Sequence, residues 1–596
     1  MRKKYSLGIL ILMVSLLNEA ANSQHGVLSS QIGYDNNETI RVIVRSDRSD
    51  YITPGTKFRL QDSDGNMVLS GNVLNWGQKW GSYWWIVNIS GLQTPGKYSV
   101  IIDDINTSIR SESFNVGNHL LWSECFHIMA FDNLKIRSEQ ARTGMGWKDC
   151  GGDLQEFSSH VVAVDAICDL LEIGTRVINS DERSFLLEQM LRGTEYLAHL
   201  QDKAKSLGLG NGCVVHEDRQ IDVVTGDVAK AAMIFARVAR LIRETHKEIS
   251  IDYIERSKNA FSWIEKHGPV INPEEQIFFP YVHGAPEGSV PPEDQWMTRD
   301  LVMMIRASIE LFRAGETSYK NHAIQYAEQV MNRQVPKAEN ESGLFGHFYT
   351  YDDYSPWNNF RFTEKANIHC GAWSREGRIY NKGGHYPHYL IPIIDMIKLW
   401  PDHKNAQRWQ NCLYNFAYGY FMPACKQSPF LILPAGYYSN EGLLYFSSWY
   451  HGHNKIYAFA ATLALEFQKF FNDDQFREIA IGNIQWIAGL NCGLIAKDSS
   501  QYLPVSMISG IGSRTHGSYS KFPGSICNGF SASRQFRIVP AKYDLDKPVF
   551  FDEEDYIAHA LPYLAALIRL RSYDQVTLTS NKPSQIMKGK ILIMSK

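Results

Sequence analysis

Two acidic segments, one close to residue 150 and one close to residue 553, carry the side chains best suited to chemistry. The first, Gly146-Trp147-Lys148-Asp149-Cys150-Gly151-Gly152-Asp153, places two aspartates on a glycine-rich loop ahead of a helix expected to begin near Ser159. Neighbouring carboxylates repel and resist joint ionisation unless both hold something, such as a water or a cation. The second, Phe551-Asp552-Glu553-Glu554-Asp555-Tyr556, strings four acids ahead of the apolar stretch from Ile557 to Leu570. A carboxyl desolvated in a cleft has its pKa raised and can serve as a general acid. Hydrolysis of a glycosidic bond with inversion needs one such acid and, on the opposite face, a base that deprotonates water. Each segment also has a plain structural reading. The aspartate loop can be a turn followed by a helix N-cap, and the acid run a solvated helix start set favourably against the helix dipole.

The surrounding chain changes grammar near Gly117. Before it, Phe58-Arg59-Leu60-Gln61 runs into the turn Asp62-Ser63-Asp64-Gly65-Asn66, Met67-Val68-Leu69 follows, and Pro95-Gly96 precedes Tyr98-Ser99-Val100-Ile101-Ile102. Short runs punctuated by turns predict an all-β sandwich over residues 24–117. After it, Val161, Val164, Ile167, Cys168 and Leu171 fall at three- and four-residue steps, as do the apolar residues of Leu301 to Phe312, Ile456 to Phe467 and Ile479 to Ile487. This periodicity, with almost no convincing strands between the helices, predicts one large all-α domain over residues 118–572 and a weakly packed tail over 573–596. Its long aromatic loops, Tyr349 to Phe362 and Ser439 to Asn454, are where a helical scaffold places function.

Composition narrows the classes. A chain of 596 residues is too long for one ordinary core, and 44 % apolar with 21 % charged residues describes well-packed globular domains. A net charge of -3, with no basic run after the first residues, argues against nucleic acid as a partner. The 14 Trp and 30 Tyr suit stacking on pyranose rings, or equally a large aromatic core. Trp147, Trp296, Trp357, Trp373, Trp449 and Tyr450 are candidate platforms. His451-Gly452-His453-Asn454 is a candidate cleft lining, whereas two histidines two residues apart do not share a helical face and do not suggest zinc. No metal or cofactor is expected: nine scattered cysteines form no CxxC spacing, and no EF-hand-like loop is present. Arg2-Lys3-Lys4, the apolar run Leu7 to Leu17 and Ala21-Asn22-Ser23 read as a signal peptide over residues 1–23, too short to span a bilayer, so a secreted or periplasmic protein is expected; a monomer is expected besides.

Five segments, in order along most of the chain, resemble glycoside hydrolase family 9 and the immunoglobulin-like module that often precedes its catalytic domain. They are Ser30-Gln31-Ile32-Gly33-Tyr34 with Leu92 to Tyr98, Gly146 to Glu172, Trp486-Ile487-Ala488-Gly489-Leu490-Asn491, Ser506 to Gly512, and Glu553 to Pro562. The resemblance implies an immunoglobulin-like sandwich followed by an (α/α)6 barrel, and an endo-acting, inverting hydrolase of β-1,4-glucan. It implies Glu554 as general acid, Asp153 as general base, and Asp149 as a second holder of the attacking water; Asp153 is preferred as base because it directly precedes the expected helix. The chain departs from the family in three places. Three residues, not two, separate the aspartates. Ser513-Arg514-Thr515-His516-Gly517-Ser518-Tyr519 replaces a Pro-x-x-Pro-His-His-Arg stretch, and Ala560 stands near the position of a usual Asn. Candidate sugar contacts are Trp147, Arg514, His516, Tyr519, Trp449 and His451. An exo-acting hydrolase of another β-glycan or of glucosamine-containing oligosaccharides, and a non-catalytic carbohydrate-binding protein, are the alternatives.

Overall fold

A computed structural model describes residues 24–36, 38–105, 108–219, 223, 225–268, 296, 298–339, 343–349, 360–362, 390–434, 436–438, 442–445, 454–496, 499–531, 542–543 and 551–579. The expected signal peptide lies outside these residues, as do Trp357, Trp373, Trp449, Tyr450, His451 and most of the tail.

The N-terminal region is a two-sheet β-sandwich. One sheet orders β1 (His25–Leu28), β3 (Ile40–Ser46), β7 (Ser82–Ile89) and β6 (Leu74–Lys79). The other orders β2 (Tyr34–Asp35), β10 (Phe114–Gly117), β8 (Gly96–Asp103), β4 (Lys57–Asp62) and β5 (Met67–Asn72), with β9 (Ser108–Arg110) beside β8. Alternation places Val42, Val44, Trp85 and Val87 from one sheet against Phe58, Leu60, Val100 and Ile102 from the other in one apolar core.

The rest is mainly helical, but it is not the all-α domain that the periodicity predicts: short strands in its loops pair into a four-stranded sheet (Phe348–Tyr349, Phe360–Phe362, Gly436–Tyr438, Gly442–Leu444) and a three-stranded one (Tyr502–Leu503, Leu494–Ala496, Lys542–Tyr543), pairings between distant segments that local periodicity does not reveal. Six largely buried helices close a ring: α2 (Phe157–Ile173), α4 (Thr225–Ile242), α6 (Thr298–Arg313), α8 (Ile391–Leu399), α10 (Asn454–Phe471) and α12 (Ile557–Thr579), with α12 returning to α2. A helix buried on nearly every side needs packing partners on nearly every side. Each is therefore backed by a partner: α3 (Ser180–Ser206), α5 (Lys247–His267), α7 (Tyr319–Asn332), α9 (Ala406–Phe416), α11 (Gln475–Ile487) and, behind α12, α1 (Leu120–His127). Among the described residues no helix is long and apolar enough to cross a membrane.

A girdle of ion pairs ties the ring together several turns below the helix starts. Arg237 of α4 meets Asp165, Asp169 and Glu172 of α2; Arg240 of α4 reaches Glu310 of α6 (3.2 Å). Arg313 of α6 reaches Asp395 of α8 (3.0 Å), Lys398 of α8 faces Glu466 of α10 (3.9 Å), and Arg569 of α12 joins Glu466 (3.2 Å) to Asp169 (2.8 Å). Buried charges persist only when mutually paired. With this end plugged, the N-terminal ends of α2 and α12, which follow the two acidic segments, are left to build a site.

The acid run is not the start of a helix. Phe551–Asp555 is a strand, β12, paired antiparallel with β11 (Cys527–Phe530), and α12 begins only at Ile557. The helix after the aspartate loop begins at Phe157, so Glu156, and not Asp153, directly precedes it. Helix α12 continues to Thr579, beyond the point where the tail was expected to begin.

Candidate active site

The aspartate loop is bound to the Glu554 strand through one buried arginine. Arg137, on the helix Asn133–Glu139, is fully inaccessible. Its Nη1 donates to the carbonyls of Lys148 (3.0 Å) and Asp149 (2.5 Å), and its Nη2 to Asp555 Oδ2 (2.6 Å) and Ser525 Oγ (2.8 Å). The planar guanidinium thus grips two loop carbonyls with one side and the residue after Glu554 with the other. The Asp149 carbonyl also accepts from Ile557 N–H (2.8 Å), which joins the loop to the first turn of α12.

Glu554 itself is partly exposed on β12. Its N–H donates to Asp552 Oδ1 (3.0 Å), and Asn528 Nδ2 on β11 lies 3.5 Å from Glu554 Oε2 and 2.8 Å from Asp552 Oδ2. Next to it, Glu553 meets His516 Nδ1 (3.1 Å), and the Glu553 carbonyl accepts from Tyr519 N–H (2.7 Å). The loop of residues 513–519 is thereby held against the strand. Tyr519, 64 % exposed, lays its ring over Gly151, where a Cβ would fall 1.6 Å from Tyr519 Cδ1. Only glycine admits that contact.

Electrostatics marks where the segments converge. Asp149 is completely buried, and burial followed by the negative Glu156 raises its carboxyl well above the usual range, against the Glu156 N–H, Ser159 and Arg137. The Glu156 N–H donates to Asp149 Oδ2 at 3.2 Å. The Tyr556 phenol is pushed well up by burial and then by Glu156, Glu554, Cys150 and Asp149 together. Burial raises the Cys150 thiol too, with Asp149, Glu554 and Glu156 adding to it. Two groups that each feel Asp149, Glu156 and Glu554 place these three carboxyls around one spot, at the open end of the helix ring. Such an arrangement can hold one neutral and one ionised carboxyl on either side of a bond.

The other expected site residues fall into distinct places. Asp153 is exposed on the loop, and its carbonyl accepts from Arg219 (2.9 Å). Trp147 is not a stacking platform: it is 0 % exposed, stacked on His160 (5.4 Å), with Nε1 donating to Gln189 (2.8 Å), because it anchors the loop into the core between α2 and α3. Arg514 turns away from the acids: it clasps the sandwich through Glu112 (2.9 Å to Oε2) and donates to the Pro504 carbonyl of its own domain (3.0 Å). His516 is buried, packed on Phe551 (4.4 Å), with burial lowering its pKa, so it steadies Glu553 and does not face solvent. Trp449 and His451 lie outside the described residues.

Two of the recognised segments prove to dock the domains. Gln31 N–H donates to the Ala488 carbonyl (3.0 Å) and the Gln31 carbonyl accepts from Ser513 N–H (2.7 Å). Gly489, at φ 115°, packs so closely on Gln31 that a Cβ would lie 2.6 Å from its Cγ. Sequence reasoning missed Arg137, Glu156, Asn528 and Asp555; of these, only Asp555, inside the acid run, carried a visible signal.

Neither a protein-family profile nor a curated protein sequence matches the chain. Solved structures do. A metagenome-derived glycoside hydrolase family 9 endoglucanase superposes with a TM-score of 0.61 at 15% identity, over 91% of this chain and 99% of that one. A family 9 protein of Bacteroides ovatus gives 0.57 at 15% identity, over 92% and 99%. A thermostable endoglucanase from Alicyclobacillus acidocaldarius gives 0.55 at 13% identity, over 91% and 99%. With its β-sheet region, its ring of helices and the two acidic segments meeting at one end of that ring, the chain has the fold of the family 9 endoglucanases.

Proposed function

We propose that this chain is an exported glycoside hydrolase that cleaves β-1,4-linked glucan with inversion, built as an immunoglobulin-like sandwich ahead of an (α/α)6 barrel. The observation that carries the reading is the Arg137 clasp, which draws the aspartate loop and the Glu554 strand to the open end of the helix ring. Glu554, partly exposed and bordered by Tyr556 and Asn528, is the general acid that protonates the leaving oxygen. The aspartate loop supplies the base. Asp153, its solvent-open carboxylate, takes the proton from water, and the buried Asp149 keeps the loop and that water in register. Tyr519, exposed above Gly151 between the two segments, offers a face to a sugar ring. An acid and a base brought from separate segments leave room for a water between them, as inversion requires.

The direct test is hydrolysis of soluble cello-oligosaccharides by the wild-type chain and by Glu554→Gln. Loss of turnover with oligosaccharide binding retained supports the assignment. Turnover equal to wild type would remove Glu554 from the mechanism.

A further inference from the structure

We propose that Glu156 is a positioning residue of the aspartate loop, which holds Asp149 through its backbone and tunes it through a carboxylate braced by His216 and Asp227. The inference rests on the preceding reading of the aspartate loop as part of the active site.

Three observations carry it. Glu156 occupies the N-cap position of α2 (φ -77°, ψ 140°), yet its side chain makes no capping bond to the helix it precedes. An acid at an N-cap ordinarily accepts from the first free N–H groups. Here the carboxylate instead faces His216 Nε2 at 3.6 Å, and the N–H is spent on Asp149 Oδ2. Second, the backbone is fixed so that this geometry cannot drift: Glu156 bridges Glu217, and Phe157 N–H donates to the His216 carbonyl at 2.7 Å. Third, His216 is one link in a buried row of alternating charge. Its Nδ1 lies 2.9 Å from Asp227 Oδ2, and Asp227 Oδ1 accepts from Lys230 Nζ at 2.9 Å; all three side chains are at most 3 % exposed. Burial disfavours the imidazolium, but the hydrogen bond to Asp227 and the facing Glu156 carboxylate outweigh it and raise His216 to about 10.

A buried ionic row is a costly way to join two segments, since apolar residues of similar volume do so as well or better. This row ends at a carboxylate in the site. It is also separate from the girdle, lying near the starts of α2 and α4 where the girdle residues Asp169 and Arg237 do not reach. The groups facing Asp149 are Glu156, Cys150, Ser159, Arg137 and, across the loop, Tyr556. Those around the row are His160 on α2, Arg299 and Asp300 on α6, and Glu217 with its arginine partners Arg142 and Arg219. Of the carboxylates, Glu156 is the one that acts most strongly on Asp149.

The function follows from sign. Asp149 can accept through both oxygens, from the Glu156 N–H at Oδ2 and from the attacking water at Oδ1, only when ionised, and the Glu156 charge delays that ionisation while keeping the resulting carboxylate strongly basic. The test is the pH dependence of kcat and KM on cellotetraose for wild type, Glu156→Gln, Glu156→Asp, Asp227→Asn and Glu554→Gln. Glu156→Gln, which removes the neighbouring charge, should shift the acidic limb of kcat down by about 1 pH unit with KM unchanged. Glu156→Asp, which keeps the charge, should restore the wild-type limb. Asp227→Asn, which loosens the proton on His216 and leaves Glu156 less compensated, should move the limb upward, and it stands in should Glu156→Gln not fold. Limbs that stay put in both variants, or move the same way, overturn the inference. If Glu554→Gln is inactive while the Glu156 and Asp227 variants keep the wild-type profile, only this inference fails; if Glu554→Gln is fully active, the reading beneath it fails.

Discussion

Replacing Arg137 with methionine removes the clasp while roughly conserving volume. The guanidinium makes five hydrogen bonds, to Asn133, Lys148, Asp149, Ser525 and Asp555, and neither it nor Asp555 is exposed to any degree. Breaking a buried pair by deleting one partner strands the other charge, at a cost of about 3–5 kcal/mol. Asp555 keeps its bonds from the Ser520 hydroxyl (2.6 Å) and N–H (2.9 Å), which places the loss toward the lower end of that range. Activity should suffer more than stability. The two segments would then be joined chiefly through the bond from Ile557 N–H to Asp149 O, and a displacement of about 1 Å between reacting groups lowers kcat about 100-fold. The double variant Arg137→Met/Asp555→Leu separates the effects, because removing both charges should recover much of the stability without recovering turnover. Urea unfolding and initial rates on cellotetraose measure the two quantities. Wild-type turnover in Arg137→Met, or full recovery of turnover in the double variant, would refute the argument that this arginine aligns the acid with the loop.

Gly151→Ala should displace Tyr519 and raise KM about fivefold, equivalent to about 1 kcal/mol of lost stacking, with little change in unfolding midpoint because the ring is already 64 % exposed. Arg514→Ala should lower stability by less than about 1 kcal/mol, since its partner Glu112 is 42 % exposed, and should leave kcat unchanged; a large loss of kcat would return Arg514 to the substrate site. Stability should also depend on pH through the buried row. His216 is raised from 6.5 to about 10, so its contribution is complete below pH 6.5 and is lost as pH climbs toward 10. Asp227, buried but held down to about 2 by Lys230 and His216, contributes above pH 3.8 and loses that contribution as pH falls toward 2. The difference in urea midpoint between wild type and His216→Gln should therefore be greatest between these limits and shrink toward pH 10.

The helices and the sandwich were legible because burial imposes a period. Val161 to Leu171 lies on a helix buried almost all round, and Phe58 and Leu60 alternate into the sandwich core. The acid run misled because four consecutive acids before an apolar stretch look like a helix start. What makes Phe551–Asp555 a strand is pairing with Cys527–Phe530, a partner more than twenty residues away that no local pattern reveals. The preference for Asp153 over Asp149 rested on where the helix was expected to begin, and that boundary is set by the tertiary bond from Phe157 N–H to the His216 carbonyl, which puts Glu156 and not Asp153 directly before the helix. Trp147 and Arg514 show the same limit. A tryptophan beside an acid loop and an arginine in a variable loop have the composition of sugar contacts, while their actual partners, Gln189 and Glu112, are distant in sequence. The girdle did leave a trace, since Asp165, Asp169 and Glu172 on α2, and Arg306 (2.7 Å from Asp165), Glu310 and Arg313 on α6, recur at helical steps inside largely buried helices.

The central claim is that Glu554 and the aspartate loop act on opposite faces of one glycosidic bond. Time-resolved proton NMR of cellotetraose digestion, recorded before mutarotation equilibrates the products, reads this out in a single experiment. The account predicts that the first reducing ends released are α anomers from β linkages and that Glu554→Gln releases none. Initial β anomers, or hydrolysis that persists without the Glu554 carboxyl, would contradict it.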